Sequence, residues 1–313
     1  MLNSDCEYYK GEYVRHPKRS DWGVGIVVED QRGDIVKVFF ENQGNIKSLK
    51  VDLVSLDKVT DPGSADVFLL NVLVDEDSIA KGDRQPFPAV VKKFVEDFPG
   101  GFNGKMLNHF ERKYKVEAHE WMKEHLSQER WKKLIESKEF DELSQEIKRL
   151  FSKANLLASF EMIKLGDALK IDEAKEAIGC AFYDLLYKEG NFKDRFDNAA
   201  KILGRYEVDK WTTITYPLFF CFPDKYMFVK PMVTQQAALN RGFDIQYSPE
   251  LNWNTYNQIQ IFSKDIFDRL SQSKNEALHP KDMIDVQSFM WCTYGKGWSE
   301  EEIAEGKVKL GIA

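Results

Sequence analysis

Cysteine is scarce and scattered. The four thiols, Cys6, Cys180, Cys221 and Cys292, form no C-x-x-C pair, which argues against a disulfide framework or a thiolate zinc site and suits a reducing compartment. Long apolar runs are also missing. The longest, around Leu69 and Phe219, fall far short of the ~18 residues that a membrane-crossing helix needs. The first ten residues carry neither the basic nor the apolar region of a secretory signal, so a cytoplasmic protein with no membrane contact is expected. Excess positive charge is absent too: 44 Lys and Arg stand against 51 Asp and Glu, for a formal net charge of −7. An acidic chain does not coat nucleic acid indiscriminately, although a local basic patch can still meet phosphates.

Catalytic signatures are lacking as well. Neither a G-x-x-x-x-G-K-[ST] phosphate loop nor a G-x-S-x-G nucleophile elbow occurs. Of the five histidines, His109, His119 and His125 share one segment, and none makes the i, i+4 pair of a helical zinc site. The string His119-Glu120-Trp121-Met122-Lys123 starts like such a site and ends in Lys. No metal and no cofactor is expected. Cys180 and Cys221 lie among small or apolar neighbours and read as packed, inert thiols. There is no internal repeat, low-complexity tract or heptad array.

What is present divides in two. With 313 residues, 43% hydrophobic and 30% charged, the chain has the make-up of a folded protein of about two domains. The first sixty residues alternate apolar and polar positions, and Tyr13-Val14-Arg15, Gly25-Ile26-Val27-Val28 and Ile35-Val36-Lys37-Val38-Phe39-Phe40 each read as a short strand. Gly33 and Gly44 fall where tight hairpins need positive φ, and 45–50 and 53–59 supply two more strands. Five short strands in about fifty residues suit a small, strongly bent barrel, because closing a sheet removes its exposed edge.

Between the first two strands, His16-Pro17-Lys18-Arg19-Ser20-Asp21-Trp22-Gly23 gathers cations and flat rings on one projecting loop. Tyr13, Arg15, His16, Lys18, Arg19 and Trp22 are the candidate partner-binding residues, with Trp22 as anchor and the cations setting orientation. Trp22 equally suits a plug over an open barrel end, since so small a core needs one. The runs Gly11-Glu12-Tyr13-Val14-Arg15-His16-Pro17, Asp21-Trp22-Gly23-Val24-Gly25-Ile26-Val27, Val36-Lys37-Val38-Phe39-Phe40-Glu41 and Leu56-Asp57-Lys58-Val59, with Gly44, resemble the Tudor-like C-terminal domain of UvrD/PcrA helicases. More loosely, they resemble the RNA-polymerase-interacting domains of CarD and transcription-repair coupling factor. The resemblance implies an SH3-like barrel that docks a partner in transcription or DNA repair; the near-neutral charge of this segment favours a protein, RNA polymerase or a repair or helicase component, over DNA, with nucleic acid the other partner the reading admits. It covers roughly the first fifth of the chain, and without a phosphate loop the helicase motor has no counterpart here.

The Pro and Gly of 60–64 mark a boundary, and 80–86 is a second loop-rich stretch. Between them Phe68-Leu69-Leu70-Asn71-Val72-Leu73-Val74 fits either a buried strand or a short helix. From residue 88 onward apolar residues recur at three and four, predicting helices over 88–98, 105–126, 128–137, 139–153, 156–169, 172–189, 193–203, 231–242, 256–270 and 280–291. The exception is 211–230, where Trp211-Thr212-Thr213-Ile214-Thr215-Tyr216 and Leu218-Phe219-Phe220-Cys221-Phe222 crowd β-branched and aromatic residues and predict a β-hairpin.

A second polar set lies in this half: Asp224, Lys230, Gln236, Asp282, Asp285 and Gln287. Lys230 precedes a helix start, where free N–H groups favour an anion. Asp282 and Asp285 open an apolar helix, where capping and dipole compensation are the plainer role, worth about 0.3–1 kcal/mol each. Pro223-Asp224 followed by Phe228-Val229-Lys230 has the Pro-Asp of a restriction-nuclease core but lacks the later acid. The expected architecture is α+β, with a small Tudor-like barrel at 8–60, a connecting segment at 61–87, and a mainly helical domain with a short hairpin at 88–313. The expected function is a non-catalytic accessory protein of bacterial DNA transactions or transcription. The alternative is a nucleic-acid-processing or defence-type effector that uses the second polar set.

Overall fold

The computed structural model describes residues 7–43, 45–62, 69 and 85–312. The Gly44 turn, the run 68–74 apart from Leu69, and most of the 80–86 loop lie outside the described residues.

Five short strands form the N-terminal sheet: β1 (Tyr13–Arg15), β2 (Val24–Val27), β3 (Ile35–Phe40), β4 (Ile46–Lys50) and β5 (Asp57–Val59). All pairings are antiparallel, in the order β4-β3-β2-β1-β5, so the first strand joins the last. Period-two alternation sorts the side chains onto two faces. Val14, Val27, Val36, Val38 and Phe40 turn toward a small core of the sheet's own, completed by Tyr8 and Leu56. Tyr8 closes it by donating from its hydroxyl to Leu56 O at 3.1 Å while accepting from Leu56 N at 2.9 Å. On the other face, the register aligns Tyr13, Ile26, Phe39 and Ile46 across four strands. That row belongs to the same continuous apolar core as the helices. The sheet therefore has two buried sides, which is why β3 reads as Val-Phe-Phe at its end instead of alternating cleanly.

Twelve α-helices follow among the described residues: α1 (Phe87–Asp97), α2 (105–125), α3 (Gln128–Glu136), α4 (Phe140–Ser152), α5 (Ser159–Ala168), α6 (Asp172–Tyr187), α7 (Phe192–Arg205), α8 (Trp211–Cys221), α9 (Pro231–Arg241), α10 (Trp253–Ser271), α11 (Met283–Tyr294) and α12 (Glu300–Lys309). Helix α6 packs against α4 and α7, and α11 against α9, α10 and α1. Every residue of α11 from Met283 to Met290 is buried. The fold is thus α+β, as the patterning implies.

One expectation is corrected and one helix is added. The hairpin at 211–230 does not form: 211–221 is α8, and residues 226–230 run extended without entering a sheet. Residues 211–220 are buried on all sides, so α8 shows no amphipathic stripe, and its β-branched content misleads. The extended segment is satisfied by side chains instead, Met227 N donating to Gln260 Oε1 at 2.9 Å and Val229 N to Thr215 Oγ1 at 3.0 Å. Helix α12 was not expected from the apolar spacing. Its signature is Ser299-Glu300-Glu301-Glu302, a capping box in which Ser299 accepts from Glu302 N and Glu302 accepts from Ser299 N.

Sheet and helices are also joined by charge. Arg269 of α10 reaches Glu41 just past β3 at 2.8 Å and Asp265 at 2.9 Å, all three nearly buried. Glu41 in turn accepts from Val24 N at 2.8 Å. Arg241, fully buried, lies 4.6 Å over the Phe87 ring, and burial together with the nearby Arg269 brings its pKa down to about 10.

Candidate functional site

The sequence-predicted polar sets are separated by the fold. In the N-terminal loop, Trp22 packs edge-on against Phe40 and His16, at 5.0 and 4.9 Å between ring centres, with the Arg19 guanidinium 4.8 Å from its ring. Arg19 also pairs with Asp21 at 2.9 Å, and the His16 ring accepts from Lys18 N at 3.1 Å. Arg15 is exposed and lines a polar cleft with Glu41 and Arg269, whereas Tyr13 sits in the apolar row. His16, Lys18, Arg19 and Trp22 thus stay together on the loop, and Tyr13 and Arg15 point elsewhere.

In the helical half, Asp224 and Gln236 are exposed and isolated from the rest. Asp282 and Asp285 are taken up by Arg112, which donates to Asp282 from two nitrogens at 2.9 and 2.7 Å and to Asp285 at 2.7 Å. Asp282 also caps α11 by accepting from Asp285 N. Burial raises the Asp285 pKa despite the facing guanidinium. The two carboxylates form an ion cluster around Arg112, Asp285 fully buried and Asp282 partly so. His119 and His125 donate to the backbone carbonyls of Phe220 and Trp121, and among the described residues no group of His, Cys, Asp and Glu is arranged to hold a metal.

Lys230 and Gln287 are brought together. They line a cleft of about 310 Å³ with Phe110, Glu111, Tyr114, Asn155, Leu156, Trp291 and Trp298. Its floor comes from α2, where a π-helical turn over Asn108–Arg112 interrupts the α-helix. Such a turn adds one residue per cycle and re-aims the side chains it carries, a device common at functional sites. Glu111 and Lys115 are both buried, and Lys115 Nζ donates to Glu111 Oε2 at 2.5 Å, Gln287 Oε1 at 2.5 Å and Ser288 Oγ at 2.9 Å. The other Glu111 oxygen accepts from Trp298 Nε1 at 2.8 Å. Trp298 is placed by Gly297, whose φ of 56° an L side chain rarely adopts. Its ring leans on Phe110 at 4.7 Å, and α12 approaches so closely that a Cβ at Gly306 would lie 2.4 Å from the Phe110 ring.

The electrostatics follow from these partners. Glu111 and Lys115 cancel, and Gln287, only 4% exposed, has its carbonyl held by Lys115. Its NH₂ group, which has no partner among the described residues, is therefore the end left for the cleft. Lys230 donates to Leu156 O at 2.7 Å and forms no ion pair among the described residues. Burial holds its pKa below the usual lysine range, opposed by Glu161. Burial and Glu111 keep Tyr114 a phenol. The cleft thus combines aromatic walls, an oriented amide donor and a cation that forms no ion pair among the described residues. Glu111, Lys115, Tyr114, Trp291 and Trp298 escaped the sequence reading; the Glu111–Lys115 i, i+4 pair within an apolar-striped segment was the available signal.

A protein-family model described as "Protein of unknown function (DUF3553)" matches residues 9–59, the span of the N-terminal sheet. No curated protein and no solved structure matches the chain.

Proposed function

We propose that this chain is a non-catalytic recognition protein whose helical body receives a small planar ligand bearing a negative group, while its N-terminal sheet docks a larger partner of bacterial DNA transactions or transcription. The cleft carries the reading. Its size is at the lower end for ligand sites, its walls are mostly apolar, and its few polar groups converge. Recognition is favoured over turnover because its deep ionic groups are already partnered: Glu111 is held by Lys115 and Trp298, which leaves no free base beside a nucleophile. The docking half rests on the strand order, in which β5 returns to β1 as a small barrel requires, and on the exposed Lys18 and Arg19 beside Trp22.

Phenyl phosphate titrated into the full-length protein tests the cleft. Saturable quenching of tryptophan fluorescence is expected, and Lys230→Met should weaken it about tenfold or more, the worth of a charged hydrogen bond. No binding at millimolar concentration, or binding indifferent to Lys230→Met, overturns the reading.

A further inference from the structure

Resting on the cleft as a ligand site, we infer that its ligand is a nucleoside monophosphate unit, with the base between the aromatic walls and the phosphate at Lys230. Four aromatic residues, Phe110, Tyr114, Trp291 and Trp298, line a space of about 310 Å³, which suits a flat π-system and leaves room for the sugar and phosphate it carries; bases stack on such rings whatever their sequence.

The inner polar groups define the ring's edge. Gln287 turns its NH₂ inward because Lys115 holds its oxygen, and both Glu111 oxygens already accept, from Lys115 and Trp298. The deep end therefore offers donors and needs acceptors, the carbonyl oxygens and ring nitrogens that line every base and that a plain phenyl ring lacks. An aromatic amino acid fits worse, because its ammonium would meet Lys230 and find no uncommitted carboxylate. At the mouth, Lys230 has further N–H donors for phosphate beyond the one given to Leu156 O, and exposed Asn155 offers both donor and acceptor to sugar hydroxyls. A free mononucleotide and one unpaired nucleotide of a strand share this chemistry.

The test uses the full-length protein and calorimetric titration with AMP, GMP, CMP and UMP, their nucleosides, phenyl phosphate, and an eight-nucleotide single strand. At least one monophosphate, or the strand, should bind tenfold or more tighter than phenyl phosphate. Binding by the strand alone assigns the strand as the source, and binding by a monophosphate assigns the free nucleotide. Lys230→Met should erase the advantage of monophosphate over nucleoside. Gln287→Glu keeps the oxygen that Lys115 needs and removes the donor, so it should weaken nucleoside and monophosphate alike. Should Gln287→Glu fail to fold, Asn155→Ala at the exposed mouth replaces it, weakening nucleotides severalfold and leaving phenyl phosphate unchanged. Phenyl phosphate binding as tightly as every nucleotide probe overturns the nucleotide assignment and leaves the cleft reading standing. No binding by any probe overturns both.

Discussion

Lys115 is fully buried behind the cleft, and it fixes which way Gln287 faces. Its three N–H groups go to Glu111, Gln287 and Ser288. Lys115→Met would leave Glu111 buried with its charge uncompensated, and a loss of about 3–5 kcal/mol in urea unfolding is expected. Lys230 gives a pH prediction. An anion binds the charged amine, so affinity is full below the amine's pKa and falls as pH rises through it; burial sets that fall below the usual lysine range. Phenyl phosphate affinity measured from pH 7 to 10.5 should decline in the native protein and stay flat in Lys230→Met. Sequence showed Lys230 and Gln287 as over-polar for their surroundings, and the structure joins them. It did not reveal Glu111 or Trp298, because their meeting depends on a contact between residues 187 positions apart, which no local period encodes.

At the scale of elements, legibility followed amphipathicity. Helices such as α4 and α7 have one buried and one solvated face, so their periods stand out. Helix α8 has no solvated face along 211–220 and carries Pro217 within it; its strand-like composition was overridden by the packing around it. The helix 156–169 starts three residues late, at Ser159, because Glu161 accepts from Ala158 N at 2.7 Å, and the released Leu156 then lines the cleft beside Asn155. Helix α12 needed its cap to be noticed. Ser299→Ala should cost about 1 kcal/mol in thermal or chemical unfolding, and because Trp298 immediately precedes that cap, phenyl phosphate binding should weaken with it. Unchanged stability would mean that Ser299 contributes nothing to holding α12.

For the whole molecule, the apolar row Tyr13-Ile26-Phe39-Ile46 makes the sheet part of the helical core and not a bead on a tether. Phe39→Ala, at a fully buried site, should cost about 3–5 kcal/mol, and circular dichroism at helical wavelengths should follow the loss, since the core is shared. A helical signal insensitive to Phe39→Ala would show that the two parts are energetically independent. The link from Arg269 to Glu41 also sets a timetable during synthesis. Glu41 leaves the ribosome 228 residues before Arg269, an interval on the order of tens of seconds at ordinary elongation rates. Early in that interval the sheet has its own small core but presents Phe39 and its neighbours bare, so the nascent chain carries a sticky face until the helical core that buries it has emerged. Slowed translation between the two segments should therefore lower the yield of soluble protein, and chaperone capacity at that stage should restore it.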